Sequence, residues 1–239
     1  MKVALLGMGC SAEQYMRHCA RHGSKDLFDQ LWTVNSYGSI FGADLTWHMD
    51  DVRIQEERVK AGAEDGPWLK EMMRWFGEHP EQLVVTSRGH PSYPNLIEYP
   101  LEFVLNATGG PCYFNSTPSY ALGLVYASHT EGCPLVPEPI DTLAIFGCDF
   151  AYAPGIWKGE KGRACMEYWL GRIQEQGKTQ IKLPKETWLM DVNCLKPYGY
   201  DTVFPKITDA DGRCEVIFEE LPREKWPTAE QIEERYAKR

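Results

Sequence analysis

Two stretches decide how this chain folds: Val3–Ser11, VALLGMGCS, and Leu143–Tyr152, LAIFGCDFAY. In the first, Val3-Ala4-Leu5-Leu6 is a short continuous apolar run, as expected for a strand covered on both faces. Gly7 and Gly9 punctuate it, and Ser11 is placed to cap a helix over Ala12 to about His22. In the second, Thr142–Phe146 (TLAIF) is another apolar run bounded by turn signals, and it ends in Gly147-Cys148-Asp149. A third stretch, Phe114–Ala127 (FNSTPSYALGLVYA), lies between them. Its Asn115-Ser116-Thr117-Pro118 opens a mostly apolar helix, with proline in the favoured first turn. Strand C-terminal ends line the ligand crevice of an open α/β sheet. If all three stretches belong to one such sheet, Gly7, Gly9, Ser11, Asn115, Ser116, Thr117 and Asp149 share that crevice. Helix starts there present free N–H groups that attract phosphate.

The rest of the chain fits alternating strands and helices. Leu31–Val34 predicts a second buried strand ending at Asn35, whose amide suits a ligand or a turn. Ala43–Asp51 (ADLTWHMDD) predicts an extended segment carrying His48 to Asp50 and Asp51, an acid/base or metal corner. Residues 52–66 read as a mobile helix or loop insertion, and Pro67–Phe76 as an amphipathic helix. Leu83–Thr86 predicts a strand. Ser87–Pro100 predicts a long surface loop, with Arg88 and His90 noted in it. Pro100–Asn106 predicts a short helix and Cys112–Phe114 a short strand. Ala153–Gly162 (APGIWKGEKG) suggests a lid carrying Trp157, Lys158, Lys161 and, just beyond it, Arg163. Arg163–Gln176 predicts a helix closed by Gly177, and Gln180–Leu183 a last strand. After about residue 190 the alternation stops. The expected organisation is a nucleotide-binding domain over 1–190 and a C-terminal extension over 191–239 packed on it. That extension has a strand at Cys214–Phe218 and a charged terminal helix at Thr228–Lys238.

Composition narrows the function. The 239 residues suffice for a full core without disulfide staples. A net charge of −9 argues against sequence-independent nucleic-acid binding by the surface as a whole, but leaves room for a local basic groove. The eight cysteines contain no CxxC pair, which suits reduced thiols and opposes a tetrahedral zinc site. No run approaches the ~20 apolar residues of a membrane span, and no secretory signal is visible, so a cytoplasmic chain is expected.

Taken together, the G-x-G-x-S turn at Gly7–Ser11, the helix start at Ser116–Tyr120 and the strand ending Gly147-Cys148-Asp149-Phe150 resemble a Rossmann-like group. It comprises the bacterial sialyltransferases of glycosyltransferase family 42, the motility-accessory-factor proteins and phage proteins of about this size. The phage proteins look most similar, on Arg163–Gly171 and on Pro184–Leu189 (PKETWL). The resemblance covers residues 1 to about 200. It implies an open, mostly parallel sheet with helices on both faces, and nucleotide contacts at Gly7, Gly9, Ser11, Asn35, Ser116, Thr117 and Asp149. The sialyltransferases bind a cytidine nucleotide sugar in this crevice. Two positions depart from that pattern: Met8 and Cys10 stand where G-N-G-P-S has Asn and Pro, and no His follows His129. A base must therefore come from His48, Asp50 or Asp149, with Tyr152 as a hydroxyl donor.

Three functions are compatible with these residues. The first is a nucleotide-sugar-dependent transferase acting on a glycan or a hydroxylated phage DNA base, with no divalent metal required. The second is a non-catalytic nucleotide-binding or interaction protein. The third is a pyrophosphokinase-like enzyme using Asp50, Asp51 and Asp149 around a metal.

Overall fold

In this computed structural model, residues 1–23, 27–150, 156–184, 187, 189–191, 203–210, 213–220, 228 and 230 are described; for 156–158, 191, 203–210 and 213–220 only the backbone is. Two compact units result, Met1–Asn193 and Cys194–Arg239.

The first unit is built on seven parallel strands. They are β1 (Lys2–Leu6), β2 (Gln30–Val34), β3 (Leu45–Trp47), β4 (Val84–Thr86), β5 (Leu96–Glu98), β6 (Thr142–Phe146) and β7 (Gln180–Lys182). Their order across the sheet is β5-β4-β3-β2-β1-β6-β7. The chain thus moves outward from β1 to β5, crosses back, and resumes at β6 on the other side of β1. The strands β1 and β6 pair in register from Lys2↔Thr142 to Leu6↔Phe146. This is the topological switch point, where connections leave neighbouring strands in opposite directions and ligands bind in such sheets.

Among the described residues seven helices cover the sheet: α1 (Ala12–His22), α2 (Tyr37–Phe41), α3 (Val52–Lys60), α4 (Gly66–Glu78), α5 (Leu101–Thr108), α6 (Thr117–Ala127) and α7 (Ile156–Gln176). Strand alternation decides which face each helix meets. Val3, Leu5, Trp32, Leu45, Val85, Leu143 and Ile145 pack with residues of α5, α6 and α7. On the opposite face, Ala4 and Leu6 pack with Ala12 and Tyr15 of α1, and Val84 and Leu96 with residues of α3 and α4. The helix α6 is buried on nearly every side, as its continuous apolar sequence requires.

Several expectations are revised. Of the two alternatives for residues 52–66, the helix holds over 52–60, where Asp51 caps it, accepting from the Arg53 N–H at 3.1 Å. The 87–100 segment is not all loop, since β5 lies within it and pairs with β4. Cys112–Phe114 is not a strand: the Tyr113 carbonyl accepts from Trp169 Nε1 at 2.8 Å and Cys165 Sγ at 3.1 Å, and the Asn115 N–H points at Cys165 Sγ. Side chains of α7 take the place of a neighbouring strand. Residues 156–162 are the first turns of α7 rather than a lid, and Gly162 is buried against the ring of Phe150. The side chains of Trp157 and Lys158 lie outside the described residues. In the second unit, β8 (Val203–Ala210) and β9 (Arg213–Glu220) form an antiparallel hairpin, longer than the single strand expected. The terminal helix expected at Thr228–Lys238 lies outside the described residues, save Thr228 and Glu230.

Among the described residues, no helix is long and apolar enough to cross a membrane. The central packing of the α7 face rests on Trp169, fully buried and stacked on Phe114 at 5.0 Å between ring centroids. Trp169→Ala is expected to lower stability by about 3–5 kcal/mol, from a residual cavity and the loss of the indole bond to the Tyr113 carbonyl. Urea unfolding measures it; a loss under about 1 kcal/mol would contradict the packing described.

Candidate functional site

At the switch point the two glycine motifs are bonded to each other. The Gly7 N–H donates to the Phe146 carbonyl at 2.7 Å, and the Gly9 N–H to the Gly147 carbonyl at 2.6 Å. Ser11 Oγ donates to Asp149 Oδ1 at 2.6 Å and accepts from the Gly147 N–H at 2.7 Å. The Ser11 N–H donates to Asp149 Oδ2 at 2.7 Å. Both Ser11 and Asp149 are buried, at 0% and 2% exposure, so these bonds are shielded from water. A buried carboxyl group that accepts two short bonds, one from a hydroxyl that itself accepts a third, is a strong local constraint.

The glycines make this approach feasible. A Cβ on Gly9 would strike the Asp149 carboxylate and the Gly147 carbonyl. Gly147 has φ +68°, a left-handed conformation that a Cβ disfavours. The sequence reading assigned Gly9, Ser11 and Asp149 to ligand contacts. The structure places them in one clamp in which the Asp149 carboxylate sits at the start of α1. The N–H that would greet a phosphate there is already taken by an internal anion. The neighbouring thiols are quiet. Cys10 Sγ lies 3.5 Å from Asp149 Oδ2, and burial and that carboxylate push its pKa up. Complete burial pushes the Cys148 thiol up to about 12.

A second cluster lies at the ends of β2 and β3. His48 is fully buried. Its Nδ1 lies 3.1 Å from the Asn35 side-chain amide and its Nε2 lies 2.9 Å from that of Gln55. Asn35 adopts φ +54°, a left-handed conformation that Asn tolerates, with its N–H bonded to the Trp47 carbonyl at 2.8 Å. Burial lowers the His48 pKa, against smaller opposing effects of Gln55 and Asp50, so the ring is neutral. A neutral ring donates from one nitrogen and accepts at the other, so one of the two amides turns its NH2 to the ring. Asp50 is exposed, and its carbonyl accepts from Thr86 Oγ1 at 3.1 Å. Asp51 is engaged as the α3 cap and with Arg53.

The third group opens α6. Ser119 Oγ donates to the Ser116 carbonyl at 2.6 Å and accepts from the Ser116 N–H at 3.4 Å, while Ser116 Oγ is buried without a hydrogen-bond partner among the described residues. Asn115 is exposed, and Thr117 begins the helix. This start is held to α7 through Cys165. Thus Gly7, Gly9, Ser11 and Asp149 form one cluster, Asn35 and His48 a second, and Asn115, Ser116 and Thr117 a third. Tyr152 lies outside the described residues. Of the loop residues noted earlier, Arg88 is exposed and His90 Nε2 lies 3.5 Å from Glu56. Among the described residues no group of three or more His, Cys, Asp or Glu is arranged to hold a metal ion. Gln55, a partner of His48, was not among the expected site residues; its position seven residues along, on the first turn of a capped helix, was the available signal.

No protein-family model matches the chain, and no curated protein is significantly similar to it.

The lowered His48 pKa has a measurable consequence. The unfolded chain binds a proton near the ordinary value of 6.5, whereas the folded ring resists it. The stabilisation is therefore complete above about pH 6.5 and is lost as pH falls below it, at up to about 1.4 kcal/mol per pH unit. His129 is shifted the same way by burial and adds to the slope. Denaturant unfolding from pH 7 to 5.5 should show this fall, and His48→Gln should flatten it. An unchanged slope in that variant would contradict the buried neutral imidazole.

Proposed function

We propose that the chain is a nucleotide-sugar-dependent transferase of the glycosyltransferase type. The observation that carries this reading is the convergence of the Gly7–Ser11 and Gly147–Asp149 turns at the β1/β6 switch point of an all-parallel sheet. Crevices of this kind bind nucleotides. Since Asp149 already occupies the start of α1, the donor's phosphates are assigned to the start of α6. There the helix dipole, the Thr117 N–H and the unpartnered Ser116 Oγ favour an anion.

In the proposed step an acceptor hydroxyl attacks the anomeric carbon. The carbon–oxygen bond to the nucleotide phosphate breaks, the nucleotide leaves as an anion, and the hydroxyl proton passes to a carboxylate. Asp149 and His48 are engaged internally, so the exposed Asp50 is the carboxylate best able to take it. A glycan or a hydroxylated phage DNA base is the acceptor on this reading.

The engagement of Asp149 and His48 also favours a second reading, a nucleotide-binding protein without turnover. The pyrophosphokinase-like reading loses support, because Asp51 is tied to Arg53 and Asp149 to Ser11.

Thermal melting with CMP, UDP, GDP and ATP, each with and without magnesium, tests the proposal. At least one nucleotide at about a hundred times its Kd should add roughly 2.7 kcal/mol, or about 5 °C or more. Ser116→Ala with Asn115→Ala should reduce that shift. No shift with any nucleotide sinks both the transferase and the binder. Turnover of labelled nucleotide sugars then separates enzyme from binder.

A further inference from the structure

The face of the sheet that carries α1 has no helix over β6 and β7 among the described residues. An open groove of about 720 Å³ runs there, between α1 and the β6–β7 edge. It extends from Gln14, Phe146 and Pro184 at one end to Lys2, His22 and Thr142 at the other. The eleven residues of α1 make it about 16 Å long.

Its charge is opposite to that of the protein. The chain carries 34 acidic and 25 basic residues, yet among the described residues no Asp or Glu lines this groove. Arg17 and Arg21 line the helix wall, and Lys2 and Lys182 the sheet wall. Lys2, Arg21 and Lys182 are exposed and have no carboxylate partner among the described residues. Arg17 is shared with Glu13 at 2.8 Å, a surface pair of little strength. Four cations held within one groove repel one another, which is tolerable in water and relieved by an anion. The floor is aromatic: Phe28 and Phe146 are half-buried, with ring centroids 6.4 Å apart.

We propose that this groove binds a single-stranded nucleic acid. Two facing rows of cations suit the repeated charge of a phosphate backbone. The partly exposed rings lining the groove between them suit contact with bases, which is how single strands are bound without base-specific hydrogen bonds. Arg17 and Arg21 are one helical turn apart, so successive phosphates meet successive guanidinium groups. An acidic peptide would use the cations but has no need of the rings. The site is separate from the α6 start and does not depend on the transferase proposal.

Fluorescence anisotropy of a labelled oligothymidylate, titrated with the full chain across about 50 to 200 mM salt, tests this. With four phosphate contacts the slope of log affinity against log salt should be about −2 to −3. Arg21→Glu with Lys182→Glu should weaken binding at least tenfold and reduce the slope by roughly 1.4. Both residues are exposed, so the melting temperature serves as the control for folding, and the Arg21→Gln, Lys182→Gln pair gives a milder charge loss with an intermediate effect. Unaltered affinity in the charge-reversed variant overturns the proposal, as does absence of binding at low salt. Equal competition by polyglutamate at matched charge overturns it too, because the rings would then contribute nothing.

Discussion

The Ser11–Asp149 clamp joins parts of the chain 138 residues apart, and the rest of the switch point depends on it. One carboxylate satisfies the Ser11 N–H and hydroxyl, and that hydroxyl in turn satisfies the Gly147 N–H. In a parallel sheet β1 and β6 could pair through their backbone ladder alone. What the clamp adds is a fixed geometry beyond the strand ends, where regular pairing stops and two chains diverge. Gly9 and Gly147 follow from it, because only glycine leaves room for the carboxylate and for the left-handed turn beside it.

The clamp also settles how charge is distributed around α1. Its N-terminal end is neutralised from within by Asp149, while its outer side carries Arg17 and Arg21 into the groove. An anion arriving from solvent therefore meets α1 along its flank rather than at its start. Among the described residues, the start of α6 has no such internal anion and keeps an unpartnered hydroxyl, Ser116 Oγ. Two helices that look alike in sequence, each following a polar turn with serine at its cap, thus end up with different electrostatic roles.

The sheet was legible where hydrophobic runs were continuous. Lys2–Leu6, Gln30–Val34 and Thr142–Phe146 are interior strands with mostly buried residues, and their sequences say so without alternation. The three-residue β5 was not legible: it sits among Pro91, Pro94 and Pro100, and its pairing with β4 is a tertiary choice. Cys112–Phe114 looked like a strand for the converse reason. Its two aromatic side chains pack, partly buried, on Tyr168 and Trp169 of α7, but its backbone bonds go to side chains. At the site, the residue types were visible and their partners were not. Nothing local to Asp149 indicates that it bonds Ser11, nor does anything near His48 name Gln55 as its second contact. The groove was invisible for the same reason, because Lys2, Arg17, Arg21 and Lys182 converge only when β1, α1 and β7 are assembled.

The clamp is tested most directly by a double-mutant cycle in denaturant unfolding, with Ser11→Ala, Asp149→Ala and the pair. Residues that share buried hydrogen bonds couple, whereas independent ones add within about 0.3–0.5 kcal/mol. Each single change should destabilise the protein by roughly 2 kcal/mol or more, and the pair by clearly less than the sum, with a coupling of about 1.5 kcal/mol or greater. Additive losses would show that Ser11 and Asp149 act apart, and would contradict the clamp as the constraint that shapes this crevice.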